Sequence, residues 1–235
     1  MEEPKDIESA LEYLRERMGK RQKPRTYEPT EESRAYFASI RNPEPTRSAS
    51  DDQVRQRLLQ ITKDQEPRFE RTAEWDRAVS TYFAASINQP PQGVLVIGNI
   101  GTGKSLLMRT LSKLSRYVEN LPTFRVMSAH DIVECYERTG DGGGNDFLAE
   151  LNKSALCIDD FGTEKIAFRY SKEEILRRII EKRYDRKLVT HIVTNLSFAE
   201  ISERYTQRVA SRLTEMTRPV LLGASQDAKD WRRAK

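Results

Sequence analysis

Residues 98–105 read "GNIGTGKS"; they follow the apolar run "VLVI" (94–97) and precede the periodic stretch "SLLMRTLSKLSRYV" (105–118). The spacing is G-x-x-x-x-G-K-S, with a strand pattern on one side and a helix pattern on the other. Gly98, Gly101 and Gly103 let the backbone bend so that its amides point inward, and Asn99, Ile100 and Thr102 add N–H groups to the same turn. The following helix contributes its unpaired first-turn amides, those of Ser105 and Leu106 included, and the positive end of its dipole. Such a cradle selects phosphate. Lys104 is then placed to reach the β- and γ-phosphates of a bound nucleotide, and the Ser105 hydroxyl is a hard oxygen donor suited to Mg²⁺.

Outward from this loop, helix and strand patterns alternate. "AEWDRAVSTYFAAS" (73–86) predicts a helix closed before Pro90 and Pro91, and "GVLVIG" (93–98) a buried strand. Further strands are predicted at "TFRVMSA" (123–129), "ALCIDD" (155–160), "LVTHIVTN" (188–195) and "RPVLLGA" (218–224). Helices fall at "DIVECYER" (131–138) and "SKEEILRRIIEKRYDRK" (171–187), and "TGDGGGND" (139–146) reads as a flexible connection. Alternation of this kind implies crossover connections, hence an α/β fold with a mostly parallel five-stranded sheet covered on both faces, a three-layer sandwich.

Two strand ends carry chemistry. Asp159 and Asp160 close an apolar strand, where carboxylates are costly unless they face a cation or water. Beside a phosphate loop, Asp159 suits a Mg²⁺-facing role and Asp160 the polarising of an attacking water; a simple strand-end turn is the plain alternative. Asn195 ends the "VTHIVTN" strand, where its amide can reach a γ-phosphate or that water. Arg208 and Arg212, four apart in "QRVASR" (207–212), share one face of a short helix and could address one anion or simply be solvated.

Composition narrows the class. Of the 235 residues 32% are charged and only 37% hydrophobic, so part of the chain is expected to lie outside a core. The net charge of +4 allows a modest DNA surface without demanding one. Two cysteines, Cys135 and Cys157, and two histidines, His130 and His191, build no disulfide framework or metal cluster. With an acidic N-terminus and no run of about 20 apolar residues, a cytoplasmic protein with no membrane association is expected.

Residues 1–66 carry charged helical segments and breakers but no strand pattern, and are expected to form a helical, partly flexible extension for a partner; residues 67–235 form the main domain. Ile7, Leu11, Leu14 and Met18 make one apolar stripe, and "SDDQ" at 50–53 is a capping-box pattern opening another helix. These helices could equally pack on the core.

"GNIGTGKSLLM", "LCIDDFGTEK", "EKRYDRKLVTHIVTNLS" and "RVASRLTEM", in this order and spacing, resemble the AAA+ ATPases of the DnaC/DnaI/IstB group, over about residues 92–222. That group holds bacterial and phage helicase loaders and transposition helper ATPases. The resemblance implies ATP and Mg²⁺ bound at a boundary between self-associated subunits, single-stranded DNA, and a replicative helicase as partner during DNA replication. For an IstB-like helper the partner would be a transposase; a nucleotide-switched binding module with negligible hydrolysis is a further alternative. Asn195 then looks like sensor 1, and of the R-x-x-x-R pair Arg212 looks like the arginine finger, with Arg208 as its rival. Arg232, with Lys229 as rival, is the candidate sensor 2, although "GASQDAKDWRRAK" stretches the family's spacing. Asp160 stands where AAA+ enzymes usually have glutamate, which implies slow turnover stimulated by assembly.

Overall fold

A computed structural model describes residues 50–88, 90–119, 121–137, 144–164, 167–168 and 172–223. The expectations for residues 1–49, and for Lys229 and Arg232, lie outside the described residues.

The described chain begins with α1 (Asp51–Gln65), opened by the Ser50 capping box: the Ser50 N–H donates to Gln53 Oε1 at 2.8 Å, and the Gln53 N–H to Ser50 Oγ at 3.4 Å. Next comes α2 (Ala73–Ile87), whose N-cap Thr72 accepts from the Trp75 N–H at 3.2 Å, a contact worth about 1 kcal/mol. Then follow β1 (Gly93–Gly98), α3 (Lys104–Leu114), β2 (Phe124–Ser128), α4 (Ala129–Glu137), α5 (Gly144–Leu151) and β3 (Ala155–Phe161). A two-residue antiparallel pair, β4 (Ala167–Phe168) and β5 (Lys172–Glu173), precedes α6 (Ile175–Asp185). The chain continues through β6 (Thr190–Thr194), α7 (Phe198–Arg204), α8 (Gln207–Met216) and β7 (Thr217–Leu222).

Five strands pair in the order β2-β3-β6-β1-β7, every pair parallel. Alternation along the strands sorts the core into two layers. Val94, Val96, Cys157 and Val193 face α1, α2 and α3, whereas Leu95, Leu156, Ile158 and Ile192 face α4 to α8. This is the three-layer α/β sandwich the alternating pattern implied. One helix differs from expectation, and another takes one of the two readings left open. Helix α5 begins at Gly144, inside the stretch read as a connection, because Leu148 and Leu151 find the core on the α4 side of the sheet. Helix α1, on the extension side of the expected boundary at residue 66, lays Val54, Leu58 and Ile61 on Leu107, Met108 and Leu111 of the same core.

Parallel registry positions the site. Ile97 of β1 and Phe161 of β3 both pair with Thr194 of β6, and Gly98 pairs with Leu222 of β7. The loops that leave β1, β3 and β6 therefore emerge side by side at the carboxyl edge of the sheet, where open α/β sheets take their ligands.

Candidate nucleotide site

The loop after β1 is shaped by its glycines. A Cβ at Gly98 would lie 1.9 Å from the Leu222 carbonyl oxygen of the neighbouring strand, so no side chain fits there. Gly101 and Gly103 hold φ of 83° and 88°, the left-handed region that glycine enters without steric cost. Thr102 Oγ1 closes the turn on the Asn99 carbonyl at 2.9 Å. Gly103 is the N-cap of α3 and offers no side-chain acceptor, which leaves the first amides of that helix open to an anion. Lys104 is buried; its Nζ donates to the carbonyls of Gly98 and Asn99 at 2.7 and 2.6 Å, which sets the ammonium against the loop.

Asp159 and Asp160 approach this loop through an irregularity in β3. Ile158 pairs with Ile192 and Phe161 with Thr194, so three steps on β3 match two on β6, a β-bulge at the aspartates. Asp160 takes φ 54° there. The bulge parts two acidic neighbours into two environments. Asp159 is buried, and its Oδ1 accepts from Ser105 Oγ at 2.9 Å and from the Asp160 N–H at 3.1 Å. Burial, then the adjacent Asp160 charge, raise its carboxyl above the ordinary range, against the pull of the Ser105 hydrogen bond. Asp160 is exposed, on the wall of a cleft of about 1010 Å³ that Lys104, Ser105 and Asn195 also line.

Asn195, one residue beyond β6, is likewise exposed on the cleft wall, while its neighbour Thr194 is buried and donates through Oγ1 to the Phe161 carbonyl at 2.6 Å. Twelve of the expected site residues thus meet at one edge: the loop from Gly98 to Ser105 is joined to Asp159, and nine of them, Ile100, Gly101, Thr102, Gly103, Lys104, Ser105, Leu106, Asp160 and Asn195, line one cleft. Arg212 does not line it. Its side chain is buried against the Tyr184 ring in its own chain, and Arg208 is exposed. His191 is strand packing: its Nδ1 accepts from the Val94 N–H at 3.1 Å between the rings of Tyr82 and Phe124.

The donor set fits Mg²⁺. Ser105 Oγ and the Asp159 carboxylate are hard oxygens 2.9 Å apart, and a small octahedral cation that retains most of its waters takes few protein ligands. Among the described residues there is no cluster of three or more His, Cys, Asp or Glu side chains that would suit another metal.

Two features escaped the motifs. The segment between α1 and α2 lines the same cleft through Phe69, Arg71 and Thr72, and Trp75 of α2 and Arg109 of α3 join it. Glu164, quoted above only as part of "LCIDDFGTEK", is buried and bonded to Arg204 and Tyr205.

A parallel sheet in this order, with a phosphate loop leaving β1 and paired aspartates ending β3, is the arrangement of a P-loop fold. Among solved structures, the chain is similar to the DnaC helicase loader, with a TM-score of 0.56 and 22% identity over 67% of this chain and 94% of that one. It is also similar to DnaI, with a TM-score of 0.47 and 16% identity over 79% of this chain and 93% of that one. The likeness to the DnaC loader is one of fold. No family model and no curated protein matches the sequence. No helix among the described residues is long and apolar enough to cross a membrane.

Proposed function

We propose that this protein is a cytoplasmic Mg²⁺-dependent ATPase of helicase-loader type, which uses ATP to assemble on single-stranded DNA and to deliver a replicative helicase. The observation that carries the ATPase reading is the Ser105–Asp159 hydrogen bond at 2.9 Å, which joins the phosphate loop to the acidic strand beside Lys104, Asp160 and Asn195. The loader role rests on the motif resemblance and the shared fold.

In this reading the amides from Ile100 to Leu106 and the Lys104 ammonium hold the phosphates. Ser105 and Asp159 would hold Mg²⁺, which when bound with ATP neutralises charge on the transferred phosphoryl group. Asp160 accepts a hydrogen bond from the attacking water and Asn195 orients it. The adenine end lies toward the Phe69–Trp75 wall. Arg212 supplies positive charge to the ATP of a neighbouring copy, and Arg232 remains the candidate sensor 2. Residues 1–66 would bind the helicase.

The reading is tested by phosphate release from the full chain with and without Mg²⁺ and single-stranded DNA, and by capture of the replicative helicase from its own host. Hydrolysis that needs Lys104 and Mg²⁺, with helicase captured in the ATP state, is expected. Capture of a transposase instead would make it a transposition helper, and nucleotide binding without hydrolysis under every condition would make it a switched binding module.

A further inference from the structure

Glu164 lies four residues beyond Asp160 and is 8% exposed. A carboxylate at that depth is costly unless its oxygens are taken up. Both are. Oε2 accepts from the Gly162 N–H at 2.9 Å; Oε1 accepts from the Tyr205 hydroxyl and from Arg204 Nη2 at 3.3 Å. Arg204 Nη2 donates as well to the Glu164 carbonyl at 2.5 Å, and the Tyr205 ring stacks on Phe161 with centroids 4.4 Å apart.

These contacts join two parts of the chain with different duties. One is the turn 160–164, where Asp160 holds φ 54° and the Asp160 carbonyl accepts from the Thr163 N–H at 3.1 Å and from its Oγ1 at 2.8 Å. A non-glycine residue in the left-handed region costs on the order of 1 kcal/mol, so neighbouring contacts must hold it there. Gly162 adds a second constraint at φ 99°, where a Cβ would lie 2.4 Å from Leu196 Cδ1. The other part is the junction of α7 and α8: Tyr205 is the C-cap of α7, and the next residue, Thr206, caps the helix that bears Arg208 and Arg212. The Glu164 side chain is bonded both to the backbone of the Asp160 turn, at Gly162, and to the Arg204 and Tyr205 side chains at that junction.

We infer that Glu164 is a positioning residue: it holds the turn that keeps Asp160 on the cleft wall, and through Arg204 and Tyr205 it makes that arrangement depend on how α8 is seated. A neighbouring copy pressing on α8 then acts on the water-polarising carboxylate of the same chain as well as presenting an arginine. The inference rests on the ATPase reading above.

The test uses two full-length variants. Glu164→Gln keeps the volume but replaces one acceptor oxygen by a donor amide, so the Gly162 bond and the Tyr205–Arg204 bonds can no longer all form. Tyr205→Phe keeps the ring stack on Phe161 and removes only the hydroxyl. Thermal unfolding, ATP binding and steady-state kinetics are measured on each, with Lys104→Ala beside them. Expected are folded variants that bind ATP as the wild type does, with kcat lowered about tenfold and KM within about twofold, the range found when a supporting hydrogen bond to a working group is lost. If Glu164→Gln does not fold, Tyr205→Phe decides. Wild-type kcat in the variants, while Lys104→Ala abolishes hydrolysis, overturns the inference and leaves the ATPase reading standing; so does a loss confined to stability or to ATP binding. Absence of hydrolysis in the wild type overturns both.

Discussion

Arg212 is paired with Asp185 of its own chain, Nη2 lying 3.3 Å from Oδ1, and its guanidinium sits 4.8 Å above the centre of the Tyr184 ring. The Asp185 side chain is 63% exposed, so the pair is screened and contributes within about 1 kcal/mol. Charge supplied to a phosphoryl transition state by a trans-acting arginine is worth roughly 10³ to 10⁵ in rate. Leaving Asp185 for a neighbour's nucleotide is therefore a small cost set against a large gain. Neither Arg212→Ala nor Lys104→Ala alone should hydrolyse ATP well, and a mixture should regain activity at interfaces that join an intact loop to an intact arginine. Steady-state phosphate release across mixing ratios checks this; no recovery at any ratio would exclude Arg212 as a shared-site residue. Recovery with Arg208→Ala in its place would move the role to the exposed arginine.

Arg183 is fully buried, and no acidic side chain pairs with it among the described residues. Its Nε donates to Thr190 Oγ1 at 2.8 Å, Nη1 to the Leu151 carbonyl at 2.5 Å, and Nη2 to the carbonyls of Ser154 and Val189 at 2.8 and 2.7 Å. Desolvation lowers its pKa to about 10. The side chain pins the ends of α5 and α6 to the starts of β3 and β6. Arg183→Met fills the volume and strands those carbonyls, so a loss of about 3–5 kcal/mol in urea unfolding is expected, with Arg183→Lys nearly as damaging because one ammonium cannot span four acceptors. A loss under about 1 kcal/mol for the methionine variant would refute the pin.

The parts legible in the sequence are those whose signal is local. Glycines at fixed spacing between a strand and a helix specify the phosphate loop, and "SDDQ" specifies the start of α1, because the atoms involved lie within a few residues of one another. Arg183 was invisible for the opposite reason: nothing in "EKRYDRK" distinguishes the arginine that turns inward from Arg186, which is exposed, until the end of α5 and the turn after it, about 30 residues away, supply carbonyls. The β3 bulge is similar. "DDF" permits a regular strand end, and it is the pairing with β6 that leaves one residue over and swings Asp160 away from Asp159. Glu164 was in view, but its meaning depends on Tyr205, 41 residues further on.

His191 gives a pH signature. Burial first, and the Arg183 charge second, lower its pKa to about 3 in the folded protein, against about 6.5 in an unfolded chain. Between those values the unfolded chain binds the extra proton, so this residue makes stability fall as pH falls, by up to about 1.4 kcal/mol per pH unit. Above the unfolded pKa its contribution no longer varies. His191→Gln removes the titration while keeping a polar acceptor near the Val94 N–H. Urea unfolding from pH 7.5 to 4.5 should show a steeper acid loss in the wild type than in this variant; parallel curves would mean that the imidazole is protonated in the fold.

Asp159 places function and stability in opposition. Both hydrogen bonds it accepts, from Ser105 Oγ at 2.9 Å and the Asp160 N–H at 3.1 Å, end on Oδ1, and Oδ2 accepts none from a described residue. Asp159→Asn retains an Oδ1 acceptor for both bonds and removes a buried negative charge that sits beside Asp160. With no nucleotide or metal bound, the variant should be more stable by about 1 kcal/mol, because a desolvated carboxylate is exchanged for a neutral amide of the same shape. Hydrolysis should fall at least about a hundredfold, since an amide is a much poorer Mg²⁺ ligand and leaves the transferred charge less neutralised. Urea unfolding of the ligand-free protein and Mg²⁺-dependent phosphate release measure the two sides separately. A variant less stable than the wild type would show that a nearby cation, with Arg109 the first to test, already compensates the carboxylate; an active variant would remove Asp159 from the metal site.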